Sequence, residues 1–146
     1  MNITGKLQVG YPSEEIIKLD QDFFPIPWTR DQWNQLDPKQ NKLFCWYDSE
    51  KLIGFALFGI TEYDNAAHLF KILINPFHRG TGKSQVFWSA ILLQLPLYGC
   101  SSIYLEVNSG NIAAIRFYEK CGFKILRKNK AYYSSGEDAV IMSLTL

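Results

Sequence analysis

The chain has 146 residues, close to the size of one average domain, so a single unit spanning residues 1–146 around one hydrophobic core is expected. Apolar residues make up 47% and charged residues 20%, with 10 Phe, 8 Tyr and 4 Trp, which excludes a disordered, charge-dominated chain. The 15 Lys and Arg are interspersed with 14 Asp and Glu for a formal charge of +1, so no broad electrostatic footprint for nucleic acid is present.

In chain order, Ile3 to Val9 alternates loosely and predicts a first strand, and Ser13 followed by Glu14 and Glu15 has the form of a helix cap and first turn. Ile16, Ile17, Leu19 and Phe23 are that helix's apolar positions. Pro25, Pro27 and Trp28 impose an irregular segment, after which Thr29 and Gln32 form a capping-box pair that opens a short helix ending near Leu36. Leu43–Tyr47 and Leu52–Thr61, joined by the polar residues Asp48 to Lys51, predict an antiparallel hairpin. A turn at Tyr63 to Asn65 leads into another apolar run, His68 to Ile74, which stops at Asn75-Pro76. The glycine-bearing stretch Phe77 to Ser84 precedes a helix whose apolar stripe is Val86, Phe87, Ala90, Ile91, Leu92 and Leu93, closed by Pro96 and Gly99. Ile103–Val107 predicts a central strand. Asn111 caps a helix through Ile112, Ala113, Ile115, Phe117 and Tyr118 to Gly122, and two last strands, Phe123–Lys128 and Ala139–Leu144, flank a turn at Tyr132 to Glu137.

Cys45, Cys100 and Cys121 form no C-x-x-C pair and only His68 and His78 are left to complete a metal site, so no metal is expected, and an odd set of scattered thiols suits a reducing cytoplasm. The first ten residues have no basic region followed by an apolar run, as a secretory signal has. Ser84 to Leu105 carries no charge and is long enough to span a bilayer, but Gln85, Gln94, Pro96, Gly99, Ser101 and Ser102 interrupt it, so a buried helix followed by a buried strand is expected and no membrane partner.

Arg79-Gly80-Thr81-Gly82-Lys83-Ser84 lies between a predicted strand and a predicted helix, where small residues admit an anion to backbone N–H groups and the helix N-terminus favours negative charge. It ends in Gly-Lys-Ser as a Walker A loop does, but that motif needs glycine where Phe77 stands, so a nucleoside triphosphatase is discounted. Read alone, the segment fits a phosphate cradle and a plain turn with solvated cations equally well.

The chain resembles the GNAT acetyltransferases, whose pyrophosphate loop R/Q-x-x-G-x-G/A is matched by Arg79, Gly82 and, in a departure from the pattern, the small residue Ser84. The segments FPIPWT (24–29), HLFKILINP (68–76), LEVNSGN (105–111), AAIRFYEKCGF (113–123) and EDAVIM (137–142) recur in the same order in its RimI subfamily, whose members acetylate the N-terminal alanine of the eighteenth small-subunit ribosomal protein. The resemblance implies an α/β (α+β) GNAT fold: a mixed central sheet, split between its fourth and fifth strands and flanked by about four helices. It implies acetyl-CoA as cosubstrate and a protein N-terminus as acceptor. The pantetheine arm of acetyl-CoA would meet the main chain of Ile72, Leu73 and Ile74, the pyrophosphate would lie among Gly80, Thr81, Gly82, Lys83, Ser84 and Gln85, and Asn111 would touch the cosubstrate or simply cap its helix.

Acetyl transfer to an amine needs a neutral nucleophile, a positioned carbonyl and a proton for the departing sulfur. Glu106 and Tyr118 match the family's base and acid; Glu106 alternates with Leu105 and Val107 and so shares a face with Tyr104 and Asn108. Without the resemblance, Glu106 reads as a solvated strand-end carboxylate and Tyr118 as a buried aromatic beside Phe117. Tyr132 and Tyr133 read as ordinary strand aromatics by themselves, but the resemblance assigns them to the wall of the acceptor site, for which the Trp28 region is the other candidate. His78 reads as a solvated loop residue, His68 as a hydrogen-bonded structural histidine and Cys121 as a small packing residue. A small-molecule amine such as a polyamine or an aminoglycoside remains an alternative acceptor, and a non-catalytic acyl-CoA-binding domain is the alternative outside catalysis.

Overall fold

The computed structural model describes residues 5–60, 63, 65–80 and 82–146; the expectations for Ile3, Thr61 and Thr81 lie outside them. The first strand, β1 (Lys6–Gly10), leads to helix α1 (Glu14–Phe23). Its cap is the expected one: the Ile16 N–H donates to Ser13 Oγ at 3.4 Å. Helix α2 (Arg30–Asn34) opens on both halves of the capping box, Gln32 N–H to Thr29 Oγ1 at 3.2 Å and Thr29 N–H to Gln32 Oε1 at 2.8 Å. It stops short of Leu36.

Strands β2 (Asn41–Asp48) and β3 (Lys51–Ile60) form the predicted hairpin, with Asp48 paired to Lys51. The reversal falls on Ser49 and Glu50, whose φ values of 50° and 67° are the left-handed backbone conformation that a two-residue turn needs. Strand β4 (Ala66–Ile74) precedes helix α3 (Lys83–Gln94), strand β5 (Ser102–Asn108), helix α4 (Ile112–Lys120) and strands β6 (Lys124–Asn129) and β7 (Ala139–Thr145). In α3 the buried residues are Phe87, Trp88 and Ile91, while Leu93 faces solvent at 75% exposure, so the apolar stripe is rotated from the expected one to take in Trp88. No helix among the described residues is long and apolar enough to cross a membrane; the uncharged stretch divides between α3 and β5 as expected.

The seven strands make one mixed sheet in the order β1-β2-β3-β4-β5-β7-β6. Helices α1 and α2 cover one face, where Ile16, Ile17, Leu19 and Trp33 pack on Leu43, Phe55, Leu57 and Leu73. Helices α3 and α4 cover the other, where Phe87, Trp88 and Ile91 pack with Ile103, Leu105, Val107 and Met142, and Ala114, Ile115 and Tyr118 lie against them.

Strand β4 departs from regular pairing in two places. Opposite the consecutive residues Leu57 and Phe58 of β3 stand Lys71 and Leu69, so Phe70 is an extra residue in its strand. Beyond it Lys71 and Leu73 turn to the α1–α2 face, although Ala67 and Leu69 belong to the other. The second is the pairing with β5, which is parallel and confined to Ala66–Ser102, Ala67–Ile103 and His68–Tyr104. Past that rung β4 stays with β3 and β5 stays with β7, and the sheet opens into a wedge at the place the family resemblance implies.

Candidate active site

The wedge is the inner wall of a cleft of about 620 Å³. One side is Ile72, Leu73 and Ile74 of β4, and the other is Asn111, Ala113, Ala114, Phe117 and Tyr118 at the front of α4. Phe23, Phe24 and Pro25 close it from the α1–α2 segment, and Arg79 and Ser84 stand at its outer end. A cleft of this size, apolar along its length and cationic at one end, suits a long ligand with an anionic terminus.

At that outer end Gly80 and Gly82 adopt φ values of 75° and 81°, left-handed conformations that L side chains rarely adopt, and Gly82 is the residue on which α3 begins. The helix's first N–H groups are thereby turned toward the loop. Arg79 donates from Nε to the Ile74 carbonyl at 3.1 Å, which fixes the loop to the end of β4. Lys83 is held elsewhere: its Nζ lies 2.9 Å from Asp48 Oδ2 of the hairpin and 3.2 Å from His78 Nδ1. His78 is thus half-buried against a lysine rather than solvated, and Lys83 and Gln85 do not line the cleft. Asn111 both lines the cleft and caps α4, accepting from Ala114 N–H at 3.2 Å.

At the inner end Tyr118 reaches the cleft from α4. Burial, reinforced by Cys121 and Tyr133, pushes its phenol up to about 12 from the usual 10, so the group keeps its hydrogen across the neutral range. Glu106 projects from the α1–α2 face of β5, two residues past the last rung shared with β4, and its Oε2 lies 2.5 Å from His68 Nε2. The Tyr133 phenol is raised too, by burial first, then by Tyr132, Glu106 and Glu137. The Tyr132–Tyr133 pair, edge to face at 5.0 Å, is carried by a turn in which Tyr133 N–H donates to the Glu137 carbonyl at 3.1 Å and the Asn108 amide donates to the Glu137 carboxylate.

Trp28 packs inward on Trp33, with ring centroids 5.0 Å apart, and from its segment it is Phe24 and Pro25 that line the cleft. Lys71 was not singled out in the sequence, although a cation inside an apolar run signals a buried partner. His68, read as a hydrogen-bonded histidine, has as its partner Glu106, 38 positions away, of which the sequence carries no local sign. Among the described residues no group of His, Cys, Asp or Glu is arranged to hold a metal.

Residues 13–123 match the acetyltransferase (GNAT) family. A curated relative, the [ribosomal protein bS18]-alanine N-acetyltransferase of Haemophilus influenzae, is 31% identical over 140 residues, covering 91% of this chain and 92% of its own. Among solved structures, the ribosomal-protein-S18-alanine N-acetyltransferase of Escherichia coli superposes with a TM-score of 0.85 at 24% identity, over 97% of this chain and 94% of that one. Arabidopsis thaliana NAA60 in complex with acetyl-CoA does so with a TM-score of 0.82 at 19% identity, over 98% and 100%. The chain belongs to the GNAT family and is an N-acetyltransferase.

Proposed function

We propose that the protein transfers the acetyl group of acetyl-CoA to the free N-terminal amine of a protein, with the alanine terminus of a small-subunit ribosomal protein as the foremost acceptor and the cytoplasm as the setting. The observation that carries this reading is the apolar cleft opened by the parting of β4 and β5, lined by Tyr118 from α4, with Glu106 on β5 two residues past the last shared rung. The relatives named for alanine N-acetylation support the choice of acceptor.

The residues of the cleft fit acetyl-CoA. The wedge exposes a β4 edge along Ile72–Ile74 for an extended arm, and the Gly80–Gly82 turn at the start of α3 suits a pyrophosphate. Acetyl-CoA supplies an activated acyl group as a thioester. The amine nitrogen forms a bond to the acetyl carbonyl carbon and the carbon–sulfur bond breaks. Glu106 takes the proton of the incoming ammonium, and Tyr118, held as the hydroxyl, supplies hydrogen to the departing sulfur and is restored by the second proton that the acylated nitrogen sheds. Tyr132 and Tyr133 on one side and Phe24 and Pro25 on the other flank the acceptor's first residue.

An α-amine titrates near ~7.7–8.0 against ~10.4 for lysine, so at neutral pH its reactive fraction is larger by roughly several hundred-fold. A single carboxylate suffices as base. Peptides that begin with alanine are therefore expected to be acetylated far faster than the same peptides with a blocked terminus and an internal lysine. Mass spectrometry of the products locates the acetyl group, and modification confined to lysine or to free small amines refutes the N-terminal reading while leaving the enzyme class intact.

A further inference from the structure

We propose that His68 is a positioning residue for the transfer: held by two aromatic rings at the vertex of the wedge, it donates Nε2–H to one oxygen of Glu106 and leaves the other to receive the proton of the acceptor amine. This rests on the reading of Glu106 as the base.

This hold depends on a glycine. A side chain at Gly59 would come within 2.7 Å of the Phe70 ring, so the absence of one lets that extra residue of β4 lay its ring against the sheet. Phe70 in turn stands against the His68 imidazole, with centroids 4.5 Å apart at 50°. The imidazole is also stacked on Tyr104 at 4.4 Å and 20°. His68 and Tyr104 are also partners on the last rung that joins β4 to β5, so both strands fix the ring at the point where they part.

An ionised carboxylate only accepts hydrogen bonds, so the ring nitrogen 2.5 Å from Glu106 Oε2 carries the hydrogen. The two side chains are 22% and 20% exposed, which keeps a charge-assisted bond from being washed out by solvent. A glutamate beside an open cleft has three side-chain torsions to sweep. With Oε2 engaged, the carboxylate has one orientation, and misplacement of a reacting group by an ångström costs about 10²-fold in rate. Neither residue needs its partner for the β4–β5 ladder, which is made by backbone, so an interaction that serves the reaction is separable from one that serves the fold.

The test is a double-mutant cycle in the full chain, assayed with acetyl-CoA and the best acceptor of the peptide panel. His68→Phe keeps the ring stack and removes the donor; His68→Gln keeps a donor. His68→Phe is expected to lower kcat by about 10- to 100-fold with KM for acetyl-CoA within about twofold and an unfolding midpoint within about 3 °C, and His68→Gln to recover much of the loss. In a Glu106→Gln background His68→Phe should add nothing, because its effect passes through the carboxylate. His68→Met, without a donor, gives the same answer should a phenyl ring disturb the packing. A wild-type kcat for the donor-less variants, losses that multiply in the double variant, or a Gln variant as slow as the Phe variant each overturn the proposal. Glu106→Gln with unimpaired kcat overturns the base assignment and this inference together; impaired Glu106→Gln beside unimpaired His68→Phe overturns this inference alone.

Discussion

Asp20 and Lys71 are the buried charged residues among those described, with Nζ 2.7 Å from Oδ1 and side chains 0% and 2% exposed. Desolvation lowers the Lys71 pKa, and the bond to Asp20 works against that. Asp20 spends its second oxygen on the Trp28 N–H, at 2.8 Å, while the ammonium sits 4.0 Å from the centre of the Phe24 ring. The pair therefore ties the irregular segment that closes the cleft to the middle of β4. Lys71→Met is expected to cost about 3–5 kcal/mol in urea denaturation, because it leaves a carboxylate buried without its counter-charge. Lys71→Met combined with Asp20→Asn should regain most of that loss, since Asn still accepts from Trp28; a double variant no better than the single contradicts the account. Nothing near Asp20 reveals the partner. On its amphipathic helix it reads as one more polar position, and the residue that makes its burial tolerable is 51 positions away.

At the scale of the element, what the sequence makes legible is chemistry that closes within a few residues. The Ser13, Thr29 and Asn111 caps, the Ser49-Glu50 reversal and the stop at Gly99 each depend on neighbours three or four positions off, and each is found where the residue types put it. The extra residue in β4 depends on how that strand lies against β3, and no pattern within His68–Ile74 marks it. The same holds for Trp88, whose burial in place of Leu93 comes from the direction in which α3 meets the sheet. The loop from Arg79 to Ser84 is intermediate: its glycines are visible, but the capture of Lys83 by Asp48 is not. Acetyl-CoA at ~100 times its dissociation constant should stabilise the fold by roughly 2.7 kcal/mol. Gly82→Ala adds the strain of a side chain at φ 81° and should lower the unliganded melting temperature while keeping most of the ligand shift; Gly82→Glu adds bulk and negative charge and should abolish the shift. An undiminished shift in Gly82→Glu, read by differential scanning fluorimetry, counts against the loop as the pyrophosphate site.

For the molecule as a whole, burial makes stability depend on alkaline pH. Cys45 and Cys121 are pushed up to about 11 from the ordinary 9, and Tyr118 to about 12 from the ordinary 10, chiefly by desolvation. In each case the folded state holds its proton more tightly than the unfolded chain does. The stability these groups contribute is therefore complete below pH 9 and is lost as the pH rises through 11 and 12. Melting temperatures measured between pH 8 and pH 12 should fall from about pH 9 upward, and Tyr118→Phe should flatten the upper part of that fall. An unchanged slope in the variant contradicts the assignment. The split between the fourth and fifth strands became legible through the family resemblance, since a strand paired on both sides and one paired on a single side look alike as apolar runs. That difference matters beyond the reaction. A strand edge left without a partner on the outside of a protein is a template on which a second chain can add itself, and proteins blunt such edges with charge or proline. The β4 edge from Ile72 to Ile74 is wholly apolar and has no such guard. It faces inward, walled by α4 and the α1–α2 segment, so that a slender ligand can lie along it while a neighbouring strand cannot. The fold turns what would be an aggregation hazard into a recognition surface by enclosing it.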